Sequence, residues 1–183
     1  MKLIGTKRIE TERLILRKFV IDDVEDMYAN WASDPEVSRF LTWPTHTSTD
    51  VTKALLENWI SNYDRGDYFN WAIEYKQCGK VIGNIAVVEL DKSISEVVMG
   101  YCLSRSLWGK GIMPEALSAV IKFFFHEADV NRISACHDVN NAKSGRVMDK
   151  AGMTLEGTLR QAGKNNQGIC DEVWHSIIRT DFF

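Results

Sequence analysis

The chain has 183 residues, 45% hydrophobic and 26% charged, which is ordinary composition for one globular domain spanning 1–183. Its 22 Lys and Arg against 25 Asp and Glu leave a net charge of −3, which argues against a dedicated nucleic-acid grip, though a local basic patch could hide in the average. Twelve Gly and three Pro exclude collagen-like and disordered chains, and no stretch approaches the ~20 apolar residues of a membrane span.

Charged Lys7, Arg8, Glu10 and Glu12 follow the first residues at once, so no secretory leader is expected and a cytoplasmic setting is. Cys78, Cys102, Cys136 and Cys170 form no C-x-x-C pair; free thiols and no metal site are expected.

In chain order, Arg13-Leu14-Ile15-Leu16-Arg17 reads as a strand. Ile21-Asp22-Asp23 offers caps to a helix reaching about Ala32, with Val24, Met27, Tyr28 and Trp31 on one stripe, and Asp34-Pro35 breaks it. Thr47, three residues before Asp50, resembles a capping box for a helix with Val51, Leu55, Trp59 and Ile60 inward, ending near Arg65-Gly66. Strands are expected over 69–75, 81–90 and 96–103, and their short turns make them an antiparallel meander. Trp108-Gly109-Lys110-Gly111 then leads into a long helix from Ile112 to about Glu127, with Pro114 in its first turn. A strand over 131–138, a helix over 142–151 closed by Gly152, and a strand pair over 154–161 and 169–180 complete the chain.

The strand–glycine turn–helix segment at 100–117 has the outline of an anion site. First-turn N–H groups and the helix dipole create positive potential there, and glycines let a phosphate approach. A plain tight connection is the alternative. A P-loop does not fit, because Gly111 and Ile112 follow Lys110, and Pro114 stands where a dinucleotide fingerprint has its third glycine.

The run Gly100-Tyr101-Cys102-Leu103, then Trp108-Gly109-Lys110-Gly111-Ile112-Met113-Pro114-Glu115-Ala116, resembles the acetyl-CoA motif of the GNAT acetyltransferases. The match is to the subgroup of RimJ/RimL type, the ribosomal-protein N-terminal acetyltransferases, which commonly write it W-G-K-G-x-A/G-x-E-A. Asn141-Ala142-Lys143-Ser144 with Lys150-Ala151-Gly152-Met153 resembles a second motif of that subgroup. Glu12 to Arg17 resembles its opening strand, and Leu155-Glu156-Gly157 with Asp171-Glu172-Val173 its closing hairpin. The resemblance covers nearly the whole chain. It implies an α+β fold, a mixed, mostly antiparallel sheet of about seven strands flanked by about four helices.

The resemblance also implies acetyl-CoA as cosubstrate. The pantetheine would lie between the strands at 97–103 and 133–138, with a backbone N–H near Cys102 or Leu103 polarising the thioester carbonyl. The pyrophosphate would sit on the amides of Gly109, Lys110, Gly111, Ile112 and Met113, and Tyr101, Trp108, Asn141 and Ser144 complete the cofactor set. Met113 departs from the small residue usual at its position. Ser144 matches the serine assigned as thiolate proton donor; the alternative is a helix-terminal serine satisfying backbone donors. The tyrosine of many members is replaced by Met148, and Gly163 stands where the RimL-type glutamate base falls.

Glu96 is the substitute base candidate, since it shares strand parity with Val98, Gly100 and Cys102; the alternative is a solvated strand-edge carboxylate. Glu89 and His137 are weaker candidates, and a water chain is another route. Cys102 is either a nucleophile or, without an adjacent base, a packed thiol. Trp31, Phe40 and Trp43, with His46, lie where the family lines its acceptor pocket, although the stripe also makes Trp31 a core residue. The reading is an N-acetyltransferase acting by direct transfer on a small-molecule or peptide amine, with no nucleic-acid or membrane partner, as monomer or homodimer. The alternatives are a non-catalytic CoA-binding module and a nucleotide-binding protein.

Overall fold

Alternation of buried and exposed side chains builds the centre of the molecule. In the computed structural model, which describes residues 1–183, the strands are β1 (Ile9–Glu10), β2 (Leu14–Arg17), β3 (Asn70–Tyr75), β4 (Lys80–Asp91), β5 (Glu96–Leu103), β6 (Arg132–Asp138), β7 (Thr154–Asn165) and β8 (Gly168–Ile178). They form one sheet in the order β1-β2-β3-β4-β5-β6-β8-β7. Neighbours are antiparallel except β5 and β6, which run parallel because a helical crossover joins them. The strand beyond the expected number is the two-residue β1.

The helices are α1 (Val24–Met27), α2 (Pro35–Ser38), α3 (Thr49–Ser61), α4 (Ile112–His126), α5 (Ala142–Lys150) and α6 (Arg179–Phe182). The crossover helix α4 buries Ile112, Ala116, Leu117, Val120, Phe124 and others against Leu16, Trp71, Ile85, Val97 and Met99 on one face of the sheet. Each fully buried side chain of this size contributes ~1.5–3 kcal/mol. On the other face α1, the turn that continues it through Trp31, and α3 pack Met27, Trp31 and Leu56 over Phe19, Ala72 and Cys102.

Three details differ from the sequence expectation. The helix expected up to Ala32 begins as a 3-10 turn at Ile21–Asp23 and ends as a π turn at Tyr28–Ala32. Asp34-Pro35 ends one helix and starts another, since the Asp34 carboxylate accepts from Glu36 N at 2.9 Å and caps α2. The cap of α3 is Ser48 rather than Thr47; Thr52 and Leu56 are its buried positions, Leu55, Trp59 and Ile60 pack half-buried against the same core as expected, and Val51 alone of the expected set turns to solvent.

The seam between β5 and β6 positions the site. Pairing begins at Glu96↔Arg132 and stops at Met99↔Ala135. Beyond that point β5 stays with β4 as far as Leu103, and β6 stays with β8 as far as Asp138. The two strands therefore part, leaving a wedge between 100–103 and 136–138.

Candidate active site

The glycine turn closes the wide end of the wedge. Gly109 and Gly111 have φ of 78° and 73°, a left-handed conformation that side chains resist. Gly111 is the N-cap of α4. The amides of Gly109, Gly111, Ile112 and Met113 have no acceptor within the chain. Met113 sends its side chain into the core, so its size does not obstruct the turn.

A residue of the opening strand holds this turn. Arg13 Nη1 donates to Lys110 O (2.9 Å), Nη2 to Gly111 O (3.1 Å) and Nε to Glu115 Oε2 (2.6 Å). Glu115 Oε1 also accepts from Thr11 Oγ1 and Arg13 N at 2.6 and 3.0 Å. Burial opposes ionisation of Glu115, but these donors hold its carboxyl below the ordinary value. Tying the turn's carbonyls outward leaves its N–H groups aimed at the cleft. Sequence reasoning took Arg13 and Glu115 as motif letters only; their pairing needs residues 102 positions apart to meet.

The cleft itself holds about 750 Å³ and is lined by Phe40, Tyr101, Trp108, Met113, Asn141 and Ser144 among others. Arg39, Lys143, Arg146 and Lys150 line it against one carboxylate, Glu36. Lys143 Nζ sits 4.6 Å from the Trp108 ring centroid, and Trp108 Nε1 donates to Leu103 O at 2.8 Å. Ser104 N donates to Ile82 O on β4. Alternation then turns the amides of Tyr101 and Leu103 toward the wedge and that of Cys102 toward β4.

Ser144 caps no backbone donor. Its Oγ lies 2.9 Å from the Tyr101 hydroxyl, which also reaches Ser144 O at 3.1 Å. Burial pushes the Tyr101 hydroxyl above its ordinary value, so it stays protonated at neutral pH. Asn141, the N-cap of α5, makes no side-chain cap bond.

Other candidates fall elsewhere. Glu96 lies at the closed end of the seam, where its Oε1 accepts from Arg132 Nε (2.8 Å) and Ser134 Oγ (2.7 Å). At ~3.3 Å rise per residue it is roughly 20 Å from Cys102, at the opposite end of β5 from the open wedge. Trp31 is fully buried between helix and sheet and offers no wall to an acceptor; its stripe made it core. Trp43 is half-buried beside His46, 5.2 Å between ring centroids, and Phe40 borders the cleft. His137 turns its Nδ1 to Asp138 O (2.8 Å) and its ring to His175, toward α5. Cys102 donates to Asn84 Oδ1 at 2.9 Å, and burial pushes its thiol up to about 12, so it supplies no thiolate near neutral pH.

On the sheet face opposite α5, Cys136 is the first β6 residue past the end of the seam. Burial, then the Glu172 and Glu89 carboxylates, push its thiol up to about 12. The β7–β8 tip roofs this face. Asn166 Nδ2 donates to Ser38 O and Trp43 O at 2.8 and 2.7 Å, and Asn166 N donates to Leu41 O. No group of three His, Cys, Asp or Glu side chains is placed to hold a metal ion, and no helix is long and apolar enough to cross a membrane.

Residues 13–154 match the family described as acetyltransferase (GNAT) domain. The uncharacterized N-acetyltransferase YoaA of Bacillus subtilis is 28% identical over 171 residues, 93% of this chain and 96% of that protein. The ribosomal-protein-serine acetyltransferase of Escherichia coli is 28% identical over 132 residues, 72% and 73% of the two chains. The structure of RimL, the ribosomal L7/L12 alpha-N-protein acetyltransferase, in complex with coenzyme A superposes with a TM-score of 0.83 at 24% identity, over 94% of this chain and 98% of that one.

Proposed function

We propose that this chain, which belongs to the GNAT acetyltransferase family, moves the acetyl group of acetyl-CoA directly onto a primary amine, an N-terminal α-amine or that of a small molecule. The observation that carries the reading is the wedge between β5 and β6, with free amides at its wide end and the Tyr101–Ser144 pair on its wall. The fit to acetyl-CoA is chemical. Four unpaired N–H groups at a helix start suit a pyrophosphate, and the four cations lining the cleft suit a polyphosphate ligand. The parted edge of β5 offers amides to a pantetheine chain.

This chain's residues then do three things. The Tyr101 and Leu103 amides orient the thioester and offer N–H donors to the oxygen that becomes negative. The Tyr101 and Ser144 hydroxyls share a hydrogen bond in which either oxygen can donate; when Tyr101 donates, the serine proton is free to go to sulfur as the C–S bond breaks. Arg13 and Glu115 keep the turn in its binding shape. The relatives named for ribosomal proteins make a peptide N-terminus the first acceptor to try.

The test combines calorimetry with CoA and free-thiol release from acetyl-CoA over a panel of amines, including peptides starting with serine or alanine. CoA binding together with thiol release on at least one amine is expected. Absence of CoA binding overturns the reading; binding without release on any amine leaves a CoA-binding module.

A further inference from the structure

Attack on a thioester needs an amine without its extra proton, yet a primary amine near neutral pH carries one. A carboxylate free of cationic partners and facing the end of the seam answers that need. Glu96 fails this requirement, being held by Arg132 and Ser134. Glu172 meets it. Strand pairing sets Glu172 against Asp138 of β6 and Trp174 against Cys136. All four therefore share the face that carries Gly100 and Cys102 on β5.

The half-buried Glu172 side chain takes part in none of the chain's ion pairs. Its Oε2 accepts from Trp174 Nε1 at 3.2 Å, which aims the carboxylate and leaves acceptor capacity. The neighbouring strand makes room for it. A Cβ on Gly163 would overlap Glu172 Oε1 and lie 2.7 Å from its Cδ. Gly163 is therefore the position whose lack of a side chain lets Glu172 lie over the β7–β8 ladder beside Cys136. Glu89, exposed on β4, is a competing carboxylate; Asp138, opposite Glu172, is also free of cations, but its oxygens are taken by Asn140 N, Asn140 Nδ2 and Asn165 Nδ2.

Resting on the acetyl-transfer reading above, we propose that Glu172 is the general base of this chain, taking the proton from a cationic primary amine that enters beneath the β7–β8 tip. One ammonium proton passes to the Glu172 carboxylate. The freed lone pair forms the C–N bond and the carbonyl electrons move onto oxygen. As the carbonyl reforms, the C–S pair returns to sulfur, which takes a proton from Ser144. The nitrogen's second proton replaces that of Ser144, and Glu172 returns its own to solvent. The acceptor class is an amine protonated near neutral pH.

The test compares two nucleophiles with acetyl-CoA, read as free thiol: a peptide with an N-terminal serine, and hydroxylamine, which is already a free base near neutral pH. For Glu172→Gln the ratio of peptide to hydroxylamine turnover should fall by about 100-fold, with CoA affinity by calorimetry matching the parent. Glu172→Ala combined with Gly163→Glu supplies the carboxylate from β7 instead, and should recover most of the ratio. Equal losses on both nucleophiles, no loss, a larger fall for Glu89→Gln, or a folded double variant as poor as Glu172→Ala each overturn the assignment. A parent protein that binds CoA but releases no thiol with either nucleophile or with any amine of the panel above overturns the acetyl-transfer reading, and this assignment with it.

Discussion

The two ends of the β5–β6 seam are built from the same pair of strands and behave oppositely. At the closed end Arg132 bridges Glu96 and Glu156, and Ser134 and Ser176 fill the remaining acceptor positions. At the open end the strands part, the Tyr101 amide has no partner on β6, and Glu172 has no cation. Both ends carry glutamates on the same sheet face. One set is neutralised and spent on holding strands together, while the other is left for a partner from outside. A carboxylate's neighbours, rather than its presence in a strand, separate structure from chemistry.

The largest expected effect strikes the open end. Gly111→Asp forces a side chain onto a backbone at φ 73° and sets a negative charge on the phosphate turn. CoA affinity measured by calorimetry should drop by more than about 100-fold. Next is Ser144→Ala, which should lower kcat by about 10- to 100-fold while the CoA dissociation constant stays within about 2-fold. A parallel rise in that constant would reduce Ser144 to a packing residue.

Changes at the closed end should leave chemistry alone. Glu96→Gln should cost about 1–2 kcal/mol in urea unfolding, because Arg132 and Ser134 lose a charged acceptor, with thiol release per folded molecule unaltered. A turnover loss there would erase the contrast between the two ends.

The smallest effect is a pH dependence. Arg132, opposed by burial and helped by Ser176, lowers the Glu156 carboxyl to about 2 from an ordinary 4.5. A depressed folded value gives stability that is fully present above about pH 4.5 and lost as pH falls toward 2. Glu156 has a side chain 39% exposed, so screening limits the contribution to under about 1 kcal/mol. Unfolding of the parent and of Glu156→Gln should converge as pH is lowered through this window.

The strand order along the chain, the meander, the glycine turn and α4 were legible because each is local: alternation, short turns and a Pro in a first helical turn. Ser144 was legible as a motif letter. That its hydroxyl serves Tyr101 instead of the helix was not, since those residues are 43 apart. Glu96 misled because parity reports the face of a strand and nothing about where its ladder ends. Trp31 misled because an aromatic in a pocket-lining segment and an aromatic in a core stripe look the same in one dimension.

By itself, then, the sequence determined the elements, the GNAT-like pattern and the place where unpaired N–H donors gather. Net charge concealed that place, because backbone amides and four lining cations act locally within a chain at −3. Only the tertiary structure decided where β5 and β6 part, that Arg13 holds the turn, and that Gly163 leaves its space to Glu172. Those facts depend on register and on strands distant in sequence meeting side by side, and neither periodicity nor residue counts encode such meetings.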